Sequence, residues 1–238
     1  MNIAIDGPAG AGKSTVARRV AASLGYLYVD TGAMYRALAW AAQDREIPVT
    51  DTDAIIRSAD TLDLRLLPPT SPGPDDDDEP TRVFVGAVEI TGQIRSPAIS
   101  NLASPISAIP GVRTRMVAAQ QELARASGDA GVVMEGRDIG TVVLPEADLK
   151  VFLTASTERR AGRRQAELAE RGSVVAYDDL LRDIRERDAR DASRDVAPMV
   201  PAADAHILDS DPLNIDEVVS QILAWHNEIA SQCSVVGA

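Results

Sequence analysis

The sequence has little cysteine, few aromatic residues and no long apolar run. Its single cysteine, Cys233, cannot form an internal disulfide, which is typical of a protein from a reducing compartment. Aromatic residues make up 3% of the chain, so the core has to be built mainly from Val, Ile, Leu and Ala. No apolar run reaches about 18 residues and no basic stretch precedes an apolar one at the start. We therefore predict a cytoplasmic protein without a signal peptide or membrane span.

Positive charge is also in short supply, because the formal net charge is -12 at pH 7. Surfaces that hold phosphate backbones or anionic membranes without specificity are net positive. We therefore expect no binding to a nucleic acid polymer or to a membrane, while a local cationic pocket is compatible with this charge. Only Lys13 and Lys150 are lysines, so 22 of the 24 basic residues are arginines.

The alternation of apolar and amphipathic segments predicts an α/β fold with a parallel sheet. The five strand candidates are NIAID (2–6), YLYVD (26–30), GVVME (131–135), LKVFL (149–153) and HILDS, which begins at His206. Helical spacing is found from about Lys13 to Leu24, from about Met34 to Gln43 and over residues 214–230. We expect the last helix to pack on the sheet, with Trp225 in the core.

Residues 61–91 break this alternation and predict a small antiparallel insert. LDLRLL and RVFVGAVEIT read as short strands, with a turn at Gly86 and Ala87. Between them, residues 68–80 combine five prolines with four successive aspartates and a glutamate. Because such a segment cannot bury an apolar face, we interpret it as a disordered, solvated acidic loop, with an acidic interaction site as the alternative.

The segment GPAGAGKS, residues 7–14, satisfies the pattern G-x-x-x-x-G-K-[ST] between a predicted strand and a predicted helix. Its glycines let backbone N–H groups point inward, Lys13 reaches the terminal phosphates and Ser14 is a magnesium ligand. A glycine-rich turn without a ligand would leave the lysine unexplained. The motif predicts a nucleoside triphosphate site and leaves open whether water, a protein or a small molecule accepts the phosphoryl group.

Two arginines at predicted strand ends indicate a second phosphate site, since a guanidinium group binds phosphate through two hydrogen bonds. Arg36 follows the second strand in DTGAMYR, and Arg137 follows the third in EGRD. The carboxyl ends of parallel strands form the ligand crevice of an open α/β sheet. A surface salt bridge is the alternative for each arginine.

A helical face of three arginines follows the fourth predicted strand. In TASTERRAGRR, Arg160, Arg163 and Arg164 have the spacing that places side chains on one side of a helix. Like charges on one face are unfavourable unless anions balance them. The sequence offers Glu158 and Glu167 for this role, or a bound triphosphate.

The run RERDARDASR, residues 185–194, divides between two faces of a predicted helix. An apolar stripe precedes it on the helical wheel, made of Tyr177, Leu180, Leu181 and Ile184. Counting on by threes and fours extends this inward stripe to Arg187, Asp191 and Arg194. The other charges fall mainly on solvated faces, and they are Arg182, Asp183, Glu186 and Arg190.

These segments together resemble bacterial cytidylate kinase, a nucleoside monophosphate kinase that phosphorylates CMP and dCMP. The resemblance runs over nearly the whole chain in seven ordered segments: IDGPAGAGKST, DTGAMYR, IRSPAISNLASPISAIPGVR, EGRDIGTVVLPEADLKVFL, ERRAGRR, RERDARDASR and VPAADAHILDS. It implies a P-loop NTPase fold with a central parallel five-stranded sheet flanked by helices. It also implies a core domain (1–60, 92–157 and 190–238), a small CMP-side insert (61–91) and a short lid (158–189).

The resemblance further implies the residues that bind each substrate. ATP, with Mg²⁺ held by Ser14, would contact Gly7, Pro8, Ala9, Gly10, Ala11, Gly12, Lys13, Ser14, Thr15, Arg160 and Arg164. The CMP phosphate would contact Arg36, Arg137 and Arg194, the cytosine Ser104, Arg113 and Asp138, and the sugar Arg187 and Asp191. Lys13, Arg137 and Arg194 would be the catalytic residues. Without the resemblance, SPISAIPGVR would read as a loop that enters a helix at Pro110.

The implied reaction is transfer of the ATP γ-phosphoryl group to CMP or dCMP, giving ADP and CDP or dCDP in pyrimidine nucleotide metabolism. The resemblance also implies a monomer. Two alternatives stay open at this point. One is a kinase for UMP, AMP or a non-nucleotide acid, and the other is a P-loop ATPase that hydrolyses ATP as a regulatory or assembly module.

Overall fold

The computed structural model describes residues 1–67, 81–170, 172–194 and 196–236, with the backbone alone for residues 233–236. The acidic loop predicted at residues 68–80 lies outside the described residues. The chain divides into two compact units, Met1–Tyr28 with Ser127–Ala238, and Val29–Ala126. The division into core, insert and lid stays a prediction.

The described elements alternate between strands and helices over most of the chain. The strands are β1 (Asn2–Asp6), β2 (Leu27–Asp30), β3 (Leu64–Leu67), β4 (Arg82–Val85), β5 (Val88–Glu89), β6 (Val132–Gly136), β7 (Leu149–Thr154) and β8 (His206–Asp209). The α-helices are α1 (Lys13–Leu24), α2 (Thr31–Asp44), α3 (Thr52–Asp60), α4 (Pro97–Ile106), α5 (Pro110–Ala126), α6 (Thr157–Glu170), α7 (Tyr177–Ala192) and α8 (Ile215–Val236).

The predicted parallel sheet is confirmed, with five strands in the order β2-β6-β1-β7-β8. The central strands are buried along nearly their whole length, as expected for a parallel sheet with helices on both faces. Ile3 and Ile5 of β1 pack with apolar residues of α1 and α8 in the main core. Trp225 packs against this core from α8 and stacks on His206 with 4.2 Å between the ring centroids.

The unit Val29–Ala126 contains the predicted antiparallel insert as a three-stranded sheet in the order β3-β4-β5. The turn from β4 to β5 passes through Gly86, whose positive φ of 58° suits glycine. Helix α2 begins at Thr31, earlier than the predicted Met34, because the Asp30 side chain accepts a hydrogen bond from the Ala33 amide and caps the helix.

A single-turn π-helix at Ile139–Val143, directly after β6, was not predicted from the sequence. It follows the EGRD segment, for which the sequence pattern predicted only the end of a strand. Helix α7 continues to Ala192, which confirms that RERDARDASR is helical up to that residue. None of the helices in the described ranges is long and apolar enough to cross a membrane.

Candidate active site

The phosphate loop between β1 and α1 has the backbone that its glycines predict. Gly7, Gly10 and Gly12 all have positive φ values, of 143°, 78° and 95°. At Gly7 a Cβ atom would lie 2.1 Å from the backbone oxygen of Leu153, so no side chain fits there. The loop therefore packs directly against the end of β7, and α1 begins at Lys13 without a side-chain cap on its first amides.

Lys13 is buried inside this loop, with 5% of its surface exposed, and its Nζ donates to the Pro8 oxygen at 2.8 Å. Burial, followed by the charge of Arg137, lowers the pKa of Lys13 to about 7, although Glu135 and Asp6 act in the opposite direction. Burying an ammonium group is unfavourable unless anions balance its charge, so a bound anion is favoured beside it. The environment of Lys13 thus suits a phosphate group.

Ser14 and Thr15 open the first turn of α1, where Ser14 is exposed and Thr15 partly exposed. The first turn contains no acidic side chain that would compete for a phosphate. Close by in the same unit, Glu135 at the end of β6 is buried and accepts a hydrogen bond of 2.6 Å from the Tyr28 hydroxyl. The sequence pattern did not single out Tyr28.

Three arginines surround the buried carboxylate of Asp191, whose side chain is 2% exposed. The Nε atom of Arg137 donates to Asp191 Oδ2 at 3.0 Å, and Arg194 pairs with Oδ1. Burial raises the pKa of Asp191, but Arg137, Arg194 and Arg187 together hold it below its usual value. The predicted inward direction of Asp191 is confirmed, because Asp191 is buried and Arg190 is exposed. Arg187 is half-buried, and Arg194 lies beyond the end of α7 at Ala192.

We predict that Asp191→Asn lowers the free energy of unfolding by about 3 kcal/mol at neutral pH, because it removes one partner of a buried charge cluster. The pKa of Asp191 is depressed in the folded protein, so its carboxylate stabilises the fold above the unfolded pKa of about 3.9. This contribution is lost as the pH falls through the folded pKa. Urea unfolding from neutral pH to about pH 3 should therefore show a shrinking difference from wild type.

The control for this measurement is Asp183→Asn on an exposed face of α7, which should change stability by less than about 0.5 kcal/mol. A loss for Asp191→Asn that is the same at every pH would contradict the depressed pKa.

Asp138 is buried at the start of the π-helix, and its side chain makes no capping hydrogen bond there. Asp6, the last residue of β1, supplies the cap instead: its two oxygens accept the amides of Ile139 at 2.8 Å and Gly140 at 2.7 Å. Burial raises the pKa of Asp6 to about 6, against the lowering effect of these two amides. This role of Asp6 was not predicted from the sequence. The only feature that could have indicated it is the position of a carboxylate at the end of an apolar strand, next to the phosphate loop.

The arginines on this face of α6 contact protein groups. Glu158, which the sequence offered as a partner for them, pairs with a different arginine. Arg164 does pair with Glu167, at 2.7 Å, whereas Glu158 accepts from Arg185 of α7. Arg160 is 3% exposed and pairs with Asp188 of α7 at 2.6 Å.

Two of these arginines contact the phosphate loop itself. Arg160 NH1 donates to the Ala9 oxygen at 3.0 Å, and Arg163 donates to the Ala11 oxygen at 3.4 Å. Arg163 also binds both oxygens of Ser210, which follows β8. The contact between α6 and the loop was not predicted, because it depends on residues about 150 positions apart in the chain.

The other predicted site residues lie in the unit Val29–Ala126. Arg36 pairs with Asp30 at 2.8 Å within this unit. Burial raises the pKa of Asp30, but Arg36 and the Ala33 amide bring it below its usual value. Both side chains of this pair are mostly shielded from water. The pair is therefore not the surface salt bridge considered as the alternative for Arg36.

Ser104 and Arg113 are both buried and are linked through Ser107. The Ser107 hydroxyl donates to the Ser104 oxygen at 2.8 Å, and Arg113 NH1 donates to the Ser107 oxygen at 3.2 Å. The Arg113 guanidinium lies 6.0 Å from the centre of the Tyr35 ring. The Ser104 Oγ atom is buried without a hydrogen-bond partner in the described part of the chain. Ser104 lies in α4, so the segment SPISAIPGVR contains the end of α4 and the start of α5. Helix α5 begins at Pro110, as predicted.

A sequence model of the family described as cytidylate kinase matches residues 3–228, and so covers both units. The chain belongs to the cytidylate kinase family. A cytidylate kinase of Pelotomaculum thermopropionicum is 49% identical over 223 residues, which are 94% of each chain. A cytidylate kinase of Shouchella clausii is 46% identical over 231 residues, 97% of this chain and 98% of that one.

Some relatives in this family are longer than the present chain. A bifunctional pantoate ligase/cytidylate kinase of Synechococcus sp. is 48% identical over 227 residues, 95% of this chain and 40% of that protein. The chain spans about two fifths of the length of such relatives. Among solved structures, a gluconokinase of Sinorhizobium meliloti 1021 has a TM-score of 0.49 at 17% identity, covering 100% of this chain and 97% of that one.

Proposed function

We propose that this protein transfers the γ-phosphoryl group of ATP to a phosphate oxygen of CMP or dCMP, forming ADP and CDP or dCDP. The observation that carries the proposal is membership of the cytidylate kinase family over residues 3–228. The reaction is in-line and forms no covalent intermediate with the protein. The protein acts by positioning the two nucleotides and by stabilising charge.

ATP binds to the phosphate loop, residues 7–15, with its β- and γ-phosphates near the Lys13 ammonium group. The positive φ values of the loop glycines support this assignment, as does the burial of Lys13 beside few anions. Arg160 and Arg164 are the further ATP contacts that we propose. Arg160 would exchange its ion pair with Asp188 for phosphate oxygens when the nucleotide binds.

In the unit that contains the phosphate loop, Arg137 and Arg194 hold the CMP phosphate, and Arg187 with Asp191 contacts the sugar. Arg137 and Arg187 both act electrostatically on Lys13, which supports a place for them near the transferred group. The CMP phosphate is largely ionised at neutral pH, because the second pKa of a phosphate monoester is about 6. No general base is needed to activate it.

In the unit that contains the phosphate loop, Asp138 is proposed to read the cytosine through its exocyclic amine, which uridine lacks. In the unit Val29–Ala126, Ser104 and Arg113 are proposed as cytosine contacts. A buried carboxylate left without that donor would reject uridine nucleotides. The buried Ser104 hydroxyl supports a ligand contact of its own. In its own unit, Arg36 is proposed as a further contact of the CMP phosphate.

Magnesium accompanies ATP, and Ser14 is the protein ligand that we propose for it. The described residues contain no group of three or more His, Cys, Asp or Glu side chains that could hold a metal ion. Mg²⁺ commonly keeps several waters and binds through substrate phosphates with few protein ligands. When bound, the ion neutralises charge on the β- and γ-phosphates.

The lid proposed at residues 158–189 covers α6 from its second residue and most of α7. We propose that this segment closes over ATP and excludes water, which suppresses hydrolysis. The cytoplasmic location, the monomeric state and the lack of binding to nucleic acid polymers or membranes stay predictions.

Initial rates of ADP formation test the proposed function. We expect magnesium-ATP alone to give a low rate, CMP and dCMP to raise it strongly, and UMP and AMP to raise it far less. A rate independent of any nucleoside monophosphate would indicate an ATPase. Equal stimulation by CMP, UMP and AMP would contradict the assignment of the cytosine contacts.

We predict that Arg187→Ala raises the KM for CMP by about 10-fold or more, because a hydrogen bond from a charged group is lost. The dissociation constant for ATP should change by less than about 3-fold, because Arg187 is not an ATP contact. Steady-state kinetics and calorimetric titration give the two values. The matched control is Arg190→Ala on the exposed face of α7. Equal losses for CMP and ATP, or no loss, would contradict the sugar-site assignment.

A further inference from the structure

Asp6 occupies the junction between the phosphate loop and the segment that carries Arg137 and Asp138. It is the last residue of β1 and directly precedes Gly7. Its side chain is buried, with 5% of the residue exposed. A buried carboxylate needs hydrogen-bond donors, and here the donors are backbone amides more than 130 residues away in the chain.

The two amides that Asp6 accepts determine how the chain leaves β6. One oxygen binds the Ile139 amide at 2.8 Å and the other binds the Gly140 amide at 2.7 Å. These residues open the π-helix directly after Arg137 and Asp138. Asp138, which precedes the helix, does not cap it with its own side chain.

The same segment also lies close to Lys150, the second residue of β7. A Cβ atom at Gly140 would lie 3.2 Å from Lys150 Cδ, 3.3 Å from Lys150 Cγ and 3.5 Å from Asp6 Oδ2. Lys150 is itself held by Asp204, with 2.8 Å between Nζ and Oδ2. The start of the π-helix therefore lies against both the Asp6 carboxylate and the Lys150 side chain.

We propose that Asp6 is a positioning residue for the phosphoryl acceptor: through the Ile139 and Gly140 amides it fixes Arg137 and Asp138 in the orientation that binds CMP. This inference rests on the proposed function and assigns it a residue outside the phosphate loop. Asp6 does not contact the nucleotide in this account. It acts on CMP through the backbone that carries two CMP contacts, and its charge also acts on the Lys13 ammonium group.

The substitution Asp6→Asn tests this role with little change in size. An asparagine side chain has one acceptor oxygen, so its NH₂ group would face one of the two amide donors. We expect the KM for CMP to rise about 10-fold or more, in the range seen when a supporting hydrogen bond of a site is removed. The ratio of kcat/KM for CMP to that for UMP should fall, while the dissociation constant for magnesium-ADP should change by less than about 3-fold.

A matched control is Asp148→Asn, since exposed Asp148 accepts the Asn2 amide at 2.6 Å at the other end of β1. It makes the same Asp-to-Asn change where only one amide has to be accepted, so the remaining oxygen of Asn suffices. We expect the KM for CMP and the preference for CMP over UMP to be unchanged. If Asp6→Asn does not fold, Gly140→Ala adds a methyl group 3.2 Å from Lys150 Cδ in the same segment, so either the lysine side chain or the segment has to shift. We expect this second variant also to raise the KM for CMP while the dissociation constant for magnesium-ADP stays nearly unchanged.

The outcomes separate this inference from the proposed function. If wild type forms ADP faster with CMP and Asp6→Asn keeps its KM for CMP and its preference over UMP, the positioning role is wrong and the function stands. An equal weakening of CMP and ADP binding would also overturn it, because that result indicates general damage to the fold. No CMP-dependent ADP formation by wild type would overturn the proposed function itself.

Discussion

Lys13→Met is expected to abolish phosphoryl transfer and, at the same time, to stabilise the ligand-free protein. The loss of activity should be about a thousandfold or more, because the side chain stabilises charge on the transferred group. The gain in stability should be about 1–4 kcal/mol, because an apolar side chain replaces a buried charge. Opposite changes in activity and stability at one position are the signature of a residue held in place for its ligand.

The pH dependence of this gain follows from the pKa of Lys13. Because that pKa falls from about 10.4 in the unfolded chain to about 7 in the fold, the folded state disfavours the charged form. The cost of the charge is present in full below about pH 7 and disappears as the pH rises towards about 10. The stabilisation by Lys13→Met, measured by urea unfolding without nucleotide, should therefore shrink from neutral to alkaline pH.

Lys150→Met is the control for Lys13→Met, because Lys150 is the other lysine of the chain and is also buried. Methionine keeps the apolar stem against Gly140 and removes the ion pair with Asp204. We expect this variant to lose far less activity than Lys13→Met and to gain no stability. Retained activity in Lys13→Met, or a loss of stability in the ligand-free state, would contradict the account of the phosphate loop.

Arg137→Ala is expected to lower kcat by about 100-fold to 1000-fold, because Arg137 stabilises charge on the phosphate during transfer. Arg137→Lys should recover only a small part of the lost kcat, because an ammonium group cannot make two parallel hydrogen bonds to a phosphate. Arg137 also donates to the buried Asp191, so a thermal unfolding measurement has to accompany the kinetics.

The control for Arg137 is Arg182→Ala, which removes an exposed pair with Asp179 on α7. Its effect on kcat should be negligible, and its thermal unfolding should match that of wild type. If Arg137→Ala raises only the KM for CMP and leaves kcat unchanged, Arg137 binds the ground state and is not catalytic.

Much of the fold could be predicted because local patterns determine it. The strands of the parallel sheet are short apolar runs, and the phosphate loop is a contiguous motif whose glycines have the conformations that only glycine adopts readily. The inward direction of Asp191 could also be predicted, since it continues a helical stripe. The resemblance to a family added Ser104 and Arg113, to which local pattern gave little weight.

The parts that could not be predicted depend on contacts between distant segments. Asp6 caps a π-helix more than 130 residues away, and Arg163 binds the loop oxygen of Ala11 about 150 residues away. Arginine charge on α6 could be balanced by several carboxylates, and only the packing of α6 on α7 selects Asp188 for Arg160. No spacing rule within one helix specifies such pairs.

The most direct measurement of the central claim follows the γ-phosphoryl group of ATP with a radioactive label. The protein is incubated with labelled ATP, magnesium and CMP, and the products are separated. We expect the label to be transferred to CDP and little to be released as orthophosphate, because the acceptor is CMP and not water. Label released as orthophosphate at the same rate with and without CMP, with none in CDP, would contradict it.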